Sequence, residues 1–150
     1  MFSRYAPVII LCLAIVLPSH SLSQKQQTGK IIVDVTDIQG ETGDVKYSLH
    51  NQPDAFPGKP EAAVATARSD ITGSTSRAVF DSVPYGEYAV SIIHDENLNG
   101  ILETKWMGMP TEGFGASNDA PAVMGPPRYK DARFNLDTAE LRLTIKMVYF

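Results

Sequence analysis

Between His94 and Glu103 the chain reads His-Asp-Glu-Asn-Leu-Asn-Gly-Ile-Leu-Glu, so oxygen-bearing side chains fall on alternate positions, Asp95, Asn97 and Asn99, just before Gly100. This is the first half of a calcium loop of the form D-x-[DN]-x-[DN]-G. A hard divalent cation has no directional bonding and gathers about six to eight oxygens at roughly 2.3–2.6 Å. Only a tight turn, with a glycine free to take a positive φ, folds every second side chain onto one point. Ile101 would add its backbone carbonyl and Glu103 a carboxylate. The candidate metal ligands are therefore Asp95, Asn97, Asn99, Ile101 and Glu103, and the ion they suit is calcium.

The departures matter as much as the match. Position twelve of such a loop, which needs a bidentate Glu, is Trp106 here, and no flanking helices are visible, so this is not an EF-hand. Glu103, or Glu112 folding back, would have to complete the shell. So few carboxylates imply a weak site, in the roughly 10⁻⁴–10⁻³ M class that works where calcium is abundant outside cells. The same residues also suit an ion-free loop, in which Asp95, Asn97 and Asn99 build Asx-turns and Gly100 takes the positive angle.

Other chemistry has less behind it. Of three histidines only His50 and His94 follow residue 23, too few for a zinc framework without help from the fold. Gly115-Ala116-Ser117 lacks the nucleophile elbow, and Gly113-Phe114-Gly115 lacks the third glycine of a nucleotide fingerprint. No catalytic or cofactor-binding residue is assigned. A hydrolase would have to use His94, with Asp95 or Glu112 as its acid and base.

The elements that must position this loop are short strands. Ile31, Val33 and Val35 alternate with Ile32, Asp34 and Thr36, and Val45, Tyr47 and Leu49 alternate with Lys46 and Ser48. Gly40 and Gly43 between them suit a hairpin connection. Arg77 to Val83 gives a further strand, and the turn Val83-Pro84-Tyr85-Gly86 leads into Glu87 to His94, apolar on both faces and therefore central. Ala132 to Leu136 and Leu141 to Tyr149 alternate again. Pro60 to Ala67 suits either a helix start or an edge strand. Six or seven strands with Gly/Pro turns predict an all-β, antiparallel, immunoglobulin-like or prealbumin-like sandwich. Long loops are expected over 51–71 and 95–130, where binding residues tend to sit.

The chain has 150 residues, 43% of them hydrophobic and 20% charged, enough for one domain and no second. A net charge of −4 argues against a nucleic-acid binder. Arg4 precedes an unbroken apolar run from Val8 to Leu17, shorter than the roughly 20 residues a spanning helix needs, with small residues at Ser21 and Ser23 behind it. Residues 1–23 are expected to be a signal peptide, 24–29 a flexible leader and 30–150 the domain, with no membrane span after cleavage. Cleavage would also remove the single cysteine, Cys12, as suits an oxidising periplasmic or extracellular address.

Four blocks occur in order: Pro84-Tyr85-Gly86-Glu87-Tyr88-Ala89-Val90, His94-Asp95-Glu96-Asn97-Leu98-Asn99-Gly100, Gly108 to Asn118, and Gly125-Pro126-Pro127. Together they resemble the bacterial DUF2141 family, from about Lys30 to the C-terminus. The resemblance implies an exported sandwich and no reaction. The turn-and-strand block is also similar to transthyretin-like and carboxypeptidase-regulatory-like sandwiches. The C-terminal Tyr-Arg-Gly-Ser-type ending of the hydroxyisourate hydrolases in that wider group is absent here, where the chain ends Val148-Tyr149-Phe150.

The expected protein is thus an exported, non-enzymatic module whose loop orders a contact for an unidentified protein or envelope component. A purely structural or interaction domain with no ion is the alternative. Met109 to Asn118 is either a binding lip or a loop packed over the end of the sandwich through Phe114 and Trp106.

Overall fold

The alternating segments form eight strands in two sheets. The structure, a computed structural model, describes residues 26–150, so the expected signal peptide and the first two leader residues lie outside the described residues. The strands are β1 (Thr28–Thr36), β2 (Asp44–His50), β3 (Ala65–Ser69), β4 (Ser76–Pro84), β5 (Gly86–Asp95), β6 (Phe114–Ala116), β7 (Phe134–Leu136) and β8 (Glu140–Lys146), with one helical turn, α1 (Tyr129–Ala132). One sheet has the order β4-β1-β8; the other runs β3-β2-β5-β6, with β7 pairing β5. Among the described residues no helix is long and apolar enough to cross a membrane.

The all-β sandwich expected from the alternation is present, with three differences. β3 and β6 raise the strand number to eight. β1 and β8 pair in parallel, Lys30 opposite Glu140 through Thr36 opposite Lys146, so the sheets are not wholly antiparallel. Gly40 and Gly43, with φ of 80° and 78°, turn the chain from one sheet to the other and close no hairpin. The stretch 60–67 contains both forms it suited, a 3₁₀ turn over Pro60–Ala62 and then edge strand β3.

Ile31, Val33 and Val35 of β1 face Val45, Tyr47, Leu49, Val90 and Ile92 of the other sheet in the main core, joined by Ile145. Each fully buried aliphatic side chain of this kind contributes about 1.5–3 kcal/mol. A smaller cluster, Phe56, Ala89, Ala116, Ala120, Tyr129 and Ala132, covers the far face of β5. That cover is why β5 is apolar on both sides, and the strand stays buried or half-buried from Tyr88 to its last residue, Asp95.

Candidate functional site

β5 delivers Asp95 to the start of the loop, and its side chain is 0% exposed. Its Oδ2 accepts the backbone N–H of Gly100 at 2.8 Å and a hydrogen bond from Nη2 of Arg68 at 2.8 Å. Its Oδ1 is buried and has no hydrogen-bond partner. Gly100 takes φ 84°, the angle that closes the turn and brings its amide back to Asp95.

Beyond Asp95 the loop is built from two Asx-turns. Oδ1 of Asn97 accepts the N–H of Asn99 at 3.0 Å, and Oδ1 of Asn99 accepts the N–H of Ile101 at 2.8 Å. The amide groups of Asn97 and Asn99 both donate to Oε1 of Glu103 at 3.0 Å. Three of the five candidate ligands, Asn97, Asn99 and Glu103, are therefore linked to one another, but through the NH2 groups of the two asparagines, whose oxygens are turned to backbone N–H groups. Asp95 is tied to the loop through Gly100, and Ile101 contributes its N–H while its side chain points into solvent.

Glu112 does fold back. It is buried, and its Oε1 accepts the N–H of Glu96 at 3.1 Å while Oε2 accepts the N–H of Glu103 at 3.0 Å, so one carboxylate pins both ends of the loop. Among the described residues no group of three or more His, Cys, Asp or Glu side chains forms a metal-holding cluster, so an ion here would draw on amide and backbone oxygens as well.

Three residues at the site escape sequence reasoning because strand pairing brings them there. Asp44 lies directly opposite Asp95 in the β2–β5 ladder, and Arg68 lies opposite Lys46 in the β2–β3 ladder. Nη1 of Arg68 reaches Oδ2 of Asp44 at 3.0 Å, and Nζ of Lys46 donates to the carbonyl of Gly100 at 2.6 Å. Oδ1 of Asp44 is also buried without a partner. Burial raises the Asp44 carboxyl above its ordinary value; Arg68 opposes the rise and the Asp95 charge adds to it.

The two histidines are enclosed elsewhere. Nε2 of His94 lies 2.8 Å from the carbonyl of Thr42, which can only accept, so Nε2 carries the proton and Nδ1 accepts the hydroxyl of Tyr149 at 2.7 Å. His50 is fully buried against Phe56, 3.4 Å from Oγ of Ser91. Two hollows, one of about 420 Å³ beside Tyr85 and one of about 320 Å³ beside Phe114, contain neither histidine among their lining residues.

The Met109 to Asn118 stretch is held down over its second half. Phe114 is buried and pairs with Val148, but Trp106 is 89% exposed and packs over nothing. Ser117 and Asn118 bind backbone groups: Ser117 accepts the N–H of Val90 and donates to the carbonyl of Ala132, and Asn118 donates to the carbonyl of Arg133. Leu98, Ile101, Trp106, Met107 and Met109, on the segment that leads into it and at its first residue, are exposed, as are Val123, Met124 and Phe150 elsewhere.

A family model described as an uncharacterized protein conserved in bacteria, DUF2141, matches residues 33–144, a span that holds all four blocks quoted above. No curated protein and no solved structure matches the chain.

Proposed function

The chain belongs to the bacterial DUF2141 family, and from that premise we propose that it is an exported, non-enzymatic β-sandwich module whose loop from Asp95 to Glu103 takes a calcium ion. Binding would stiffen the loop and the apolar segment after it, Trp106 to Met109, for contact with a protein or another component of the periplasm or cell exterior. One observation carries this reading: Oδ1 of Asp95, the first ligand position, is a buried carboxylate oxygen without a partner. Such an atom is costly to bury bare, and a cation would compensate it. The glycine turn that ties Gly100 to Asp95 adds support. The enclosed positions of His94 and His50 support leaving reaction chemistry out of the account.

An ion-free loop is the alternative, favoured by Arg68 and Lys46, which already bring positive charge to Asp95 and to the carbonyl of Gly100. Melting curves in calcium, in magnesium and in EDTA separate the two. The calcium loop predicts a melting temperature that rises with calcium concentration, a smaller response to magnesium, and no calcium response in Asp95→Ala. Coincident curves in all three solutions would remove the ion and leave a structural or interaction domain.

A further inference from the structure

We propose that the hairpin from Glu103 to Thr111 is a phospholipid-binding tip, which seats Trp106, Met107 and Met109 in the headgroup layer of a bilayer with Lys105 against lipid phosphate. This rests on the reading above only in taking Trp106 to Met109 as the contact segment. It names the component contacted and needs no ion.

The segment is a built projection. The N–H of Thr111 bonds the carbonyl of Glu103 at 2.9 Å, Thr104 bridges Pro110, and the N–H of Lys105 bonds the carbonyl of Met109 at 2.7 Å. Two short arms therefore run side by side from a foot pinned by Glu112. The N–H of Gly108 returns to the carbonyl of Lys105 at 3.0 Å and closes the tip. No residue from Glu103 to Met109 is buried: Trp106 is 89% exposed, Met107 79% and Met109 54%. Met107 also holds φ 73°, a left-handed angle that costs any residue with a Cβ. Folding thus sustains a strained turn that presents the only tryptophan to solvent.

Contiguous exposed apolar side chains mark contact sites, and the chemistry here favours lipid over protein. A protein partner takes a hot-spot tryptophan into a pocket shaped for it, whereas a headgroup layer accepts a narrow point without matching its shape. Indole suits that layer, having an apolar body and an N–H for water or phosphate. The two thioether side chains are flexible and unbranched, and fill irregular gaps. Charge fits as well. From Thr104 to Thr111 the one ionised side chain is Lys105, exposed and, among the described residues, in no ion pair. Its ammonium can meet a phosphate oxygen while its stem lies along the apolar layer. Glu103 and Glu112 stay at the foot, where each accepts hydrogen bonds from the loop. The bonds across the hairpin also reduce the number of bare backbone groups carried into the interface.

Phosphatidylcholine vesicles, with and without phosphatidylglycerol, test this through the emission of Trp106. Adding vesicles should move the emission to the blue, and brominated acyl chains should quench it. In vesicle flotation Trp106→Ala should bind about tenfold more weakly than wild type or worse. Lys105→Glu should lose most on the phosphatidylglycerol vesicles, and Met124→Ser, exposed outside the hairpin, should bind as wild type does. All three side chains are exposed, and unchanged melting curves would establish that the variants fold. Emission unmoved at millimolar lipid, or flotation undiminished in Trp106→Ala, would overturn the lipid contact and return the segment to a protein partner. Repeating the titration in calcium and in EDTA keeps the two readings apart. Insertion in EDTA supports the tip whatever the melting curves say of the ion, and calcium-dependent melting with unmoved emission removes the tip alone.

Discussion

Oε2 of Glu112 accepts the backbone N–H of Glu103 at 3.0 Å, and through its other oxygen the same side chain holds the N–H of Glu96. The loop is therefore closed at its neck by a residue that lies beyond it in sequence. Its conformation depends on the segment from Trp106 to Glu112 returning to the sandwich. That dependence couples the oxygen-rich turn to the exposed apolar side chains between its two ends.

Glu112→Gln should loosen the neck. A glutamine keeps one acceptor oxygen, so its amide group must face one of the two backbone N–H groups and leave that donor unsatisfied, at a cost of about 1–3 kcal/mol. The expected result is a lower melting temperature, with Glu112→Ala lower again, and faster amide exchange at Glu96 and Glu103. Exchange at those amides as slow as in wild type would show that Glu112 does not hold them.

Two glycines with nearly the same φ should respond differently to alanine. Gly40 has open space around it, so Gly40→Ala bears only the left-handed backbone penalty of about 1–2 kcal/mol. At Gly43 a Cβ would also collide with the backbone carbonyl of Asp95, and the combined cost should reach about 2–5 kcal/mol. Chemical denaturation of the two variants side by side measures the difference, and equal losses would show that the approach of Gly43 to Asp95 has slack.

Local pattern made much of this structure legible. Ile31, Val33 and Val35 alternate because one face of β1 meets the core, and Tyr88, Val90 and Ile92 mark a central strand because Ala89 on the other face is covered too. The spacing of Asn97, Asn99 and Gly100 encodes a turn with side-chain oxygens folded inward, and that turn forms. What pattern could not reveal came from pairing between distant segments. Asp44 and Arg68 reach Asp95 only through the registers of β2 with β5 and with β3. β3 itself is an edge strand built on Ala65 and Ala67, small residues that leave little hydrophobic signal, and β6 is three residues long around a glycine. Gly40 and Gly43 carry a turn signal that does not say whether the next strand joins the same sheet. The exposure of Trp106 was equally unreadable, since a large aromatic predicts burial in the absence of a reason to stay outside.

Ser117 should prove structural. Its hydroxyl accepts the N–H of Val90 at 2.9 Å and donates to the carbonyl of Ala132 at 2.6 Å, joining β5 to α1 in a place with no access to water. Ser117→Ala leaves both groups bare and should cost about 1–3 kcal/mol. Thr138→Ala, which removes an exposed hydroxyl bonded to the carbonyl of Glu140, should stay within about 0.5 kcal/mol of wild type. Equal stability of the two variants in urea would contradict the assignment.

His50 should make the fold sensitive to mild acid. It is fully buried, its Nδ1 has no partner, and burial holds its pKa below the ordinary histidine value, with the charge of Glu61 acting weakly in the opposite direction. The uncharged Ser91 hydroxyl and the Phe56 ring pack against it and offer no compensating charge. As pH falls below about 6.5 the unfolded chain takes up a proton that the folded chain resists, so the unfolded state binds more protons and stability must decline with falling pH. The contribution is complete above the unfolded value and is lost down to the depressed folded one. His50→Gln, neutral throughout, should lower stability at neutral pH yet flatten the fall in melting temperature between about pH 7 and pH 5 relative to wild type. Parallel pH profiles for the two proteins would show that His50 stays out of this titration.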